Sequence, residues 1–277
     1  MKLVSFSAAD GRVRPGVLAD DGSRIADLSA DFPDTLAVIQ AGHSAIKTGS
    51  GATHRADQAR LHAPLSNPPR VFAIGLNYRD HAKESGMAIP TTPVVFFKLT
   101  TTIIGPGDAI VLPKNSSQPD YEAEFAFVIG KGGYRIPAAS WKEYVYGYTI
   151  VNDVSARDVQ FASTQWSMSK SFPTFCPLGP AIVTADEIAD PHQLAISLTI
   201  DGEILQNSNT CELVFGIPQL IEHLSSITPL LAGDIVSTGT PPGVGLGRTP
   251  KRWLKPGETV TVTVQGLGSL TNPVVAE

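Results

Sequence analysis

Short apolar runs alternate with turn residues along most of the chain. From residue 71 onward at least eight such runs occur, for example V-F-A-I-G, P-V-V-F-F-K and E-T-V-T-V-T-V. Runs of this length, rich in β-branched and aromatic residues, predict strands. The clearest helical pattern is C-E-L-V-F-G-I-P-Q-L-I-E-H-L-S-S, which Pro218 is expected to interrupt. The pattern predicts a β-rich α+β fold with short helices, built as a folded-over sheet or barrel-like sandwich.

The first part of the chain has a pattern of its own. D-D-G-S lies between two apolar runs and predicts a hairpin turn. A short helix is predicted in S-A-D-F-P-D-T-L-A-V-I-Q-A-G, beginning near Asp34 or Thr35 and ending at Gly42. The Pro and Asn cluster in L-S-N-P-P-R is typical of a boundary. We therefore predict a small N-terminal α+β domain at residues 1–68 and a larger domain at residues 69–277.

Composition and charge narrow the possible functions. The 277 residues are 42% hydrophobic and 17% charged, which is typical of a globular protein. With 21 basic against 26 acidic residues, the net charge is −5, and no run of Lys or Arg exceeds two. Nucleic acid and anionic membranes are therefore not expected as partners, since both need a concentrated basic patch.

The chain also carries signals about its compartment. Its first residues turn polar too early for a signal peptide, and no apolar run approaches the roughly 18 residues of a membrane span. Cys176 and Cys211 stand alone, without the spacing of a metal site. We expect idle thiols in a reducing environment and a cytoplasmic protein.

An acidic strand-like run, D-Y-E-A-E-F-A-F-V-I-G, contains the first candidate site. At a period of two residues, Asp120, Glu122 and Glu124 share one face of the predicted strand. Carboxylates are poor strand residues, and like charges on one face repel. Two interpretations remain open: a solvated outer face, or half of a site for a divalent cation.

A third carboxylate follows another buried strand. Asp153 comes directly after the apolar run V-Y-G-Y-T-I-V, where an Asp is costly unless it is paired. With Glu122 and Glu124 it would form an oxygen-rich site that suits Mg²⁺ or Mn²⁺ better than zinc. A satisfied turn Asp and a structural Ca²⁺ site are the alternatives.

The residues after Asp153 predict a helix. Ser155 and Asp158 resemble a capping box at its start. Arg157 and Gln160 are three apart and therefore share a helical face. An Arg in this place could bind a substrate carboxylate, or it could make local salt bridges on the surface.

A histidine and a lysine are the candidates for proton transfer and charge stabilisation. His81 lies three residues before Glu84, so the pair could activate water or could be a solvated helical pair. Gly75 and Gly86 flank this segment, which could move as a lid. Lys170, between aromatic residues in W-S-M-S-K-S-F-P-T-F, is either a partly buried cation or a surface side chain.

A glycine-rich segment, V-S-T-G-T-P-P-G-V-G-L-G, offers Thr240 and free backbone N–H groups. Such a loop can bind a carboxylate or enolate oxygen. It is not a phosphate loop, because no G-K-[ST] follows, and no G-x-S-x-G serine motif occurs in the chain.

Together these motifs resemble the fumarylacetoacetate hydrolase family. The resemblance covers residues 68–277 and rests on five motifs in the family's order: G-L-N-Y-R-D-H-A-K-E, D-Y-E-A-E, N-D-V-S-A-R-D-V-Q, K-S-F-P-T-F and G-D-I-V-S-T-G-T-P-P-G-V-G. The residues before 68 resemble the small N-terminal domain of many bacterial members. The resemblance implies a mixed rolled β-sheet, a Mg²⁺ or Mn²⁺ ion, and a homodimer.

The resemblance also implies roles for individual residues. It assigns the metal to Glu122, Glu124 and Asp153, and catalysis to His81 and Glu84 on a mobile lid together with Lys170. It places four further side chains around the substrate: Tyr78, Arg157, Gln160 and Thr240. One departure is Ser169, which stands where hydrolase-like members often have Gly and leaves the reaction type open.

The expected reaction follows from this resemblance. We expect hydrolysis of the C–C bond of a 2,4-dioxo acid, of the acylpyruvate or 2,4-diketo-3-deoxy sugar acid type, to pyruvate and a carboxylic acid. Decarboxylation of oxaloacetate and tautomerisation of a 2-hydroxy-dienoate or 2-oxo acid need the same enolate stabilisation and are the alternatives. A non-catalytic metal-binding homologue is a further alternative.

Overall fold

The computed structural model describes residues 1–47, 51–84, 86 and 88–277. Strands dominate these ranges. They are β1 (Lys2–Ser7), β2 (Val13–Leu18), β3 (Arg24–Asp27), β4 (Thr53–Arg55), β5 (Arg60–His62), β6 (Val71–Gly75), β7 (Val94–Lys98), β8 (Ile103–Ile104), β9 (Ile110–Leu112), β10 (Pro119–Asp120), β11 (Ala123–Ile129), β12 (Val145–Asn152), β13 (Ser155–Ala156), β14 (Cys176–Thr184), β15 (Ala195–Ile200), β16 (Glu203–Asn209), β17 (Ile235–Ser237), β18 (Thr259–Val264) and β19 (Gly268–Ala276).

Helices are few and short. The α-helices in the described ranges are α1 (Thr35–Ala41), α2 (Arg79–Glu84), α3 (Arg157–Gln160) and α4 (Ile217–Ile227). Single 3₁₀ turns lie at His43–Ala45, Ala56–Gln58, Thr100–Thr102, Ala138–Glu143, Ala185–Glu187, Thr210–Glu212 and Gly245–Gly247. None of the helices in the part of the chain that is described has the length and hydrophobicity to cross a membrane.

Two mixed sheets form the body of the protein. The larger follows the order β4-β3-β2-β1-β14-β12-β11-β17-β6-β7, with β5 paired to β1 and β8 to β14. Its strands are mostly antiparallel, but β17 and β6 run parallel. The smaller sheet has the order β16-β15-β18-β19-β9, and β10 pairs with β13. The predicted β-rich fold with short helices is confirmed, and the sheets do not close into a barrel.

The central strands β11 and β12 are buried on both faces. On one side, Phe125 and Phe127 of β11 share a hydrophobic cluster with Leu198 of β15 and Val262 of β18, so the smaller sheet covers this face. Strands covered on both faces carry nearly continuous apolar sequence, which explains the runs E-F-A-F-V-I and V-Y-G-Y-T-I-V. Glu122 and Glu124 near the start of β11 and Asp153 just after the end of β12 therefore lie at the edge of the hydrophobic core.

The N-terminal strands extend the larger sheet, since β1 pairs with both β2 and β14. The hairpin predicted around D-D-G-S joins β2 to β3. Helix α1 begins and ends as predicted: Asp34 accepts a hydrogen bond from Ala37 N at 2.8 Å, and Gly42 adopts φ +80°. The domain boundary at residue 68 stays a prediction.

Two local predictions were wrong. Pro218 does not interrupt a helix, because α4 begins at Ile217 and places the proline in its first turn, where no N–H is needed. Ser155 and Asp158 do not form a capping box. Ser155 lies in β13 and donates to Asp153 O at 2.8 Å, and Asp158 accepts from Ser117 N at 2.7 Å.

Candidate active site

The pairing of β11 with β12 brings the three predicted carboxylates together. Ala123 lies opposite Asn152, so Glu122 and Glu124 flank the end of β12, and Asp153 N donates to Glu122 O at 2.9 Å. One carboxylate oxygen from each of Glu122, Glu124 and Asp153 lies within 4.8 Å of the others. The three residues are at most 5% exposed. The interpretation of a solvated outer face was therefore wrong.

Three buried cations surround these carboxylates. Lys170 Nζ lies 2.8 Å from Glu122 Oε2 and 2.7 Å from Asp153 Oδ2, so it is not a surface side chain. Arg157 Nη2 is 2.6 Å from Glu122 Oε1. Lys98 Nζ donates to Asp153 Oδ1 at 2.6 Å. Arg157 is therefore paired with buried carboxylates, and the alternative of local salt bridges on the surface was wrong.

The carboxylates differ in how strongly they hold a proton. Burial alone would raise the pKa of Glu122, but the charges of Lys170 and Arg157 lower it to about 2. Burial, and next the negative charges of Asp153 and Glu122, raise the pKa of Glu124 well above its usual range. Of Glu122 and Glu124, it is therefore Glu124 whose negative charge is less well stabilised by neighbouring cations of the protein.

The arrangement around Glu124 fits a divalent ion. Its Oε2 accepts from Ser237 Oγ at 2.5 Å and from Gly239 N at 3.0 Å, while Oε1 accepts no hydrogen bond from the described residues. When all four are ionised, the buried carboxylates, which include Asp120, exceed the three buried cations by one negative charge. A hard cation with carboxylate ligands, such as Mg²⁺ or Mn²⁺, would offset this excess.

The predicted pair of His81 and Glu84 forms on α2. His81 Nδ1 lies 3.2 Å from Glu84 Oε2, as residues three apart on a helix allow. The other carboxylate oxygen of Glu84 accepts from Gly243 N at 2.9 Å. Burial raises the pKa of Glu84, but the hydrogen bonds of His81 and Gly243 outweigh this and lower it. The ionised Glu84 therefore orients the imidazole.

One cavity of about 460 Å³ joins the pair to the carboxylate cluster. Polar residues that line it are His81, Glu84, Glu122, Glu124, Arg157, Gln160 and Thr240. Large apolar residues that line it are Ile74, Leu76, Phe96, Phe161, Trp166, Val244 and Leu246. Trp166 packs edge-on against Phe96 and directly over Gly75, where a Cβ would collide with the indole.

Of the residues expected around the substrate, some line the cavity and one does not. Gln160 and Thr240 line the cavity; Gln160 accepts from Arg157 Nη1 at 2.9 Å, and Thr240 Oγ1 accepts from Gln206 Nε2 at 2.9 Å. Tyr78 is fully buried, its hydroxyl has no partner among the described residues, and it is not part of the cavity lining. Contact of Tyr78 with the substrate stays a prediction.

Sequence reasoning missed three residues of the site. Lys98 ends the apolar run P-V-V-F-F-K, which is the same signal that singled out Asp153. Asp120 was recognised only as an acidic residue, because its partners lie far along the chain. Trp166 was noticed only as one of the aromatic residues around Lys170. Ser169, the departure from Gly, donates to Trp166 O at 2.7 Å and does not line the cavity.

Replacing Gly247 with Ala is expected to displace Glu84. A Cβ at this position would lie 2.8 Å from Glu84 Cδ, closer than real Cβ contacts, and the flexible end of Glu84 is the group that can move. We expect turnover to fall by about tenfold, as for the displacement of a general base. The melting temperature should change little, and a fall of turnover without loss of the His81–Glu84 hydrogen bond in a crystal structure would contradict this account.

A buried carboxylate cluster and a His–Glu pair thus lie around one cavity on mixed β-sheets, an arrangement found in enzymes. The chain belongs to the fumarylacetoacetate hydrolase family, since the model of the fumarylacetoacetate (FAA) hydrolase C-terminal domain matches residues 70–275.

Relatives with different reactions share this fold. The mitochondrial oxaloacetate tautomerase of Xenopus laevis is 42% identical over 99% of this chain and 90% of its own length. The 5-carboxymethyl-2-hydroxymuconate delta-isomerase of Mycobacterium smegmatis is 37% identical, with full coverage of both chains and a TM-score of 0.84. The maleylpyruvate hydrolase of Sphingobium sp. SYK-6 is 29% identical, with full coverage and a TM-score of 0.83. The family therefore does not select one reaction.

Several expectations are untested by these findings. The roles of the individual site residues, the homodimer, the absence of nucleic-acid and membrane partners, and the cytoplasmic location stay predictions. The ion itself is also a prediction, although the residues present fit it.

Proposed function

We propose that the protein is a divalent-metal-dependent hydrolase that cleaves the C–C bond of a 2,4-dioxo acid, preferentially an acylpyruvate, to pyruvate and a carboxylic acid. The observation that carries this proposal is the single cavity in which the His81–Glu84 pair lies together with the carboxylates Glu122 and Glu124. A base and an acidic cation site in one enclosure are what water attack on a 2,4-dioxo acid requires.

The residues of this chain have complementary roles in the reaction. A divalent ion held by Glu122, Glu124 and Asp153 would polarise the 2-oxo and carboxylate oxygens of the substrate as a Lewis acid. Glu84 accepts a hydrogen bond from the Nδ1–H group of His81, which leaves Nε2 free to take a proton from water. The water oxygen bonds to C4, the C3–C4 bond breaks, and its electron pair passes to C3 as the pyruvate enolate. The proton held by His81 is available for C3.

Lys170 is the cation that would stabilise this enolate, since its Nζ lies 2.8 Å from Glu122 and 2.7 Å from Asp153, two of the carboxylates that would hold the ion. Its ammonium group is fully buried, and although burial lowers its pKa, the charges of Asp153 and Glu122 raise it above its usual value. It therefore stays charged and offsets negative charge that develops at the substrate without itself giving up a proton.

The wall of the cavity favours an apolar tail on the substrate. Seven of the lining side chains are aromatic or aliphatic, and the only Lys or Arg side chain among the described lining residues is Arg157. Arg157 is already paired with Asp120 and Glu122. A second carboxylate on the substrate would therefore find no cation of its own there, which favours an acyl chain over a diacid.

Tautomerisation of oxaloacetate is the second candidate. It is favoured by the similarity to the Xenopus laevis oxaloacetate tautomerase over nearly the whole chain. The same residues would serve it: His81 would move the proton between C3 and solvent, and Lys170 would again stabilise the enolate. This reaction, like oxaloacetate decarboxylation, needs no attacking water.

The test uses metal-free protein with acetylpyruvate, an acylpyruvate with a longer apolar chain, and oxaloacetate, before and after addition of Mg²⁺ or Mn²⁺. We expect the ion to restore cleavage of both acylpyruvates, with a higher kcat/KM for the longer chain. If the ion restores interconversion of the keto and enol forms of oxaloacetate but no cleavage of the acylpyruvates, the protein is a tautomerase and the proposed hydrolase function is wrong. Restored release of CO₂ from oxaloacetate alone would indicate a decarboxylase, and no turnover of any substrate would favour a non-catalytic homologue.

A further inference from the structure

Asp120 is a fully buried carboxylate to which the proposed reaction gives no role. Each of its two oxygens accepts two N–H donors. Oδ1 accepts from Tyr121 N at 2.9 Å and Gly245 N at 2.7 Å. Oδ2 accepts from Leu246 N at 3.0 Å and Arg157 Nε at 2.8 Å. A carboxylate with four donors is fully satisfied and geometrically fixed.

These hydrogen bonds connect two parts of the cavity that are distant in sequence. On one side, Arg157 contacts the carboxylate of Glu122. On the other side lies the loop at residues 243–247, which reaches Glu84 through Gly243 N and through the close approach of Gly247. Asp120 stands between the carboxylate cluster and the loop that supports the His–Glu pair.

Different groups hold the loop and the segment just before it. Before the loop, Gln206 donates to Thr240 Oγ1 at 2.9 Å and to Pro241 O at 2.8 Å. The 243–247 loop itself begins with Gly243 at φ +100° and continues through a single 3₁₀ turn, whose backbone N–H groups at 245 and 246 both donate to Asp120. Without Asp120 these two N–H groups have no acceptor among the described residues.

We propose that Asp120 is a positioning residue for the reaction. It holds the 243–247 loop against Arg157 and thereby sets Glu84, and through it His81, at a fixed place relative to the carboxylates that would bind the ion. The kinetic part of this inference rests on the proposed function, whereas the structural part does not.

Substitution of Asp120 by Asn tests the inference, because Asn cannot reproduce the four contacts. In either orientation of the amide, its NH₂ group faces two N–H donors, either those of Tyr121 and Gly245 or those of Leu246 and Arg157. In either case one loop N–H group, that of Gly245 or of Leu246, loses its acceptor, and we expect the loop to loosen. If D120N gives no folded protein, D120A is used instead. Ala also removes the carboxylate, but it places no NH₂ group opposite the N–H donors.

Asp234 supplies a matched control. It is also fully buried, accepts from Arg70 Nε at 3.0 Å and from Leu231 N at 2.8 Å, and forms a salt bridge with Arg70, but it lies away from the cavity lining. D234N therefore removes a carboxylate that binds an Arg and one backbone N–H group, without changing any contact of the loop. Its effect measures the general cost of such a change.

The measurement is hydrogen–deuterium exchange of the folded protein with Mg²⁺ or Mn²⁺ present, combined with kinetics. We expect exchange of the amides at 243–248 to rise at least about tenfold in D120N and to stay unchanged in D234N, as for the loss of hydrogen bonds to a charged group. With acylpyruvate, kcat should fall by about tenfold while KM changes by less than about threefold, because the base and not the binding site is displaced.

Either of two results would overturn the inference: wild-type exchange at 243–248 in D120N, or an equal rise in D234N. Exchange requires no substrate. If wild-type protein cleaves none of the acylpyruvates, the proposed function fails, while the exchange comparison still decides whether Asp120 holds the loop.

Discussion

Replacing Glu124 with Gln is expected to reduce metal-dependent turnover by at least about 100-fold, since loss of even an outer partner of a metal ligand costs about 10- to 100-fold. Gln keeps the volume of Glu and can accept from Ser237 Oγ and Gly239 N through its single oxygen. Its NH₂ group then takes the place of Oε1 and turns N–H donors toward the cation. The variant thus removes one ligand and one negative charge but keeps the packing of β11.

Metal-linked stability provides a measurement that needs no substrate. A ligand that binds only the folded state at 100 times its Kd stabilises it by about 2.7 kcal/mol. We therefore expect Mg²⁺ or Mn²⁺ to raise the melting temperature of the wild-type protein and to leave that of E124Q unchanged. Without the ion, E124Q should be no less stable than the wild type, because the charge of Glu124 is buried beside those of Asp153 and Glu122.

The control for this variant is Glu222→Gln on the exposed side of α4, where the side chain accepts only from Ala138 N at 3.2 Å. E222Q should keep both turnover and the metal-dependent rise in melting temperature. A rise in E124Q equal to that of the wild type would show that the ion binds elsewhere. Full activity of wild-type protein after chelation would refute the metal requirement itself.

Local sequence was sufficient for parts of this site because the relevant geometry is local. An E-x-E pair on a strand must share a face, and H-x-x-E on a helix must bring its two side chains within reach of each other. The capping of α1 by Asp34 and Gly42 is local in the same sense. Asp153 was found because a carboxylate at the end of an apolar strand requires a partner, wherever that partner lies.

The rest of the site depends on which strands pair and in which register, and local sequence patterns such as E-x-E do not determine this. Whether the face of Glu122 and Glu124 is solvated or buried depends on Lys98, Arg157 and Lys170, which come from three separate segments. The hydrogen bonds of Asp120 to Gly245 and Leu246 span about half the chain. The resemblance to a family supplied the long-range information for some of these residues, but it did not supply Lys98, Asp120 or Trp166.

Replacing His81 with Ala is expected to separate the candidate reactions. If His81 takes a proton from water, acylpyruvate hydrolysis should fall by about 100-fold or more, the lower end of the contribution of a general base. Decarboxylation of oxaloacetate should change by less than about threefold, because that step forms the enolate without an attacking water. Both activities are measured on the same preparation with the same ion present.

Helix α4 offers the control, His223→Ala, since this histidine is not among the residues that line the cavity. H223A should retain both activities, which would show that the loss in H81A does not follow from removing any imidazole. The metal-dependent rise in melting temperature should persist in H81A, because none of the described hydrogen bonds of His81 goes to Glu122, Glu124 or Asp153. Together these results would separate the base from the cation site.

The other outcomes of this experiment are equally informative, because each one assigns His81 a different chemical step. Survival of hydrolysis in H81A would show that another group activates the water, and the proposed role of His81 would be wrong. Loss of oxaloacetate tautomerisation together with hydrolysis would mean that His81 exchanges protons with C3 as well as with water. Loss of tautomerisation in a protein that never cleaves acylpyruvates would leave His81 as the base of a tautomerase, with Glu84 still fixing its tautomer through the 3.2 Å contact to Nδ1.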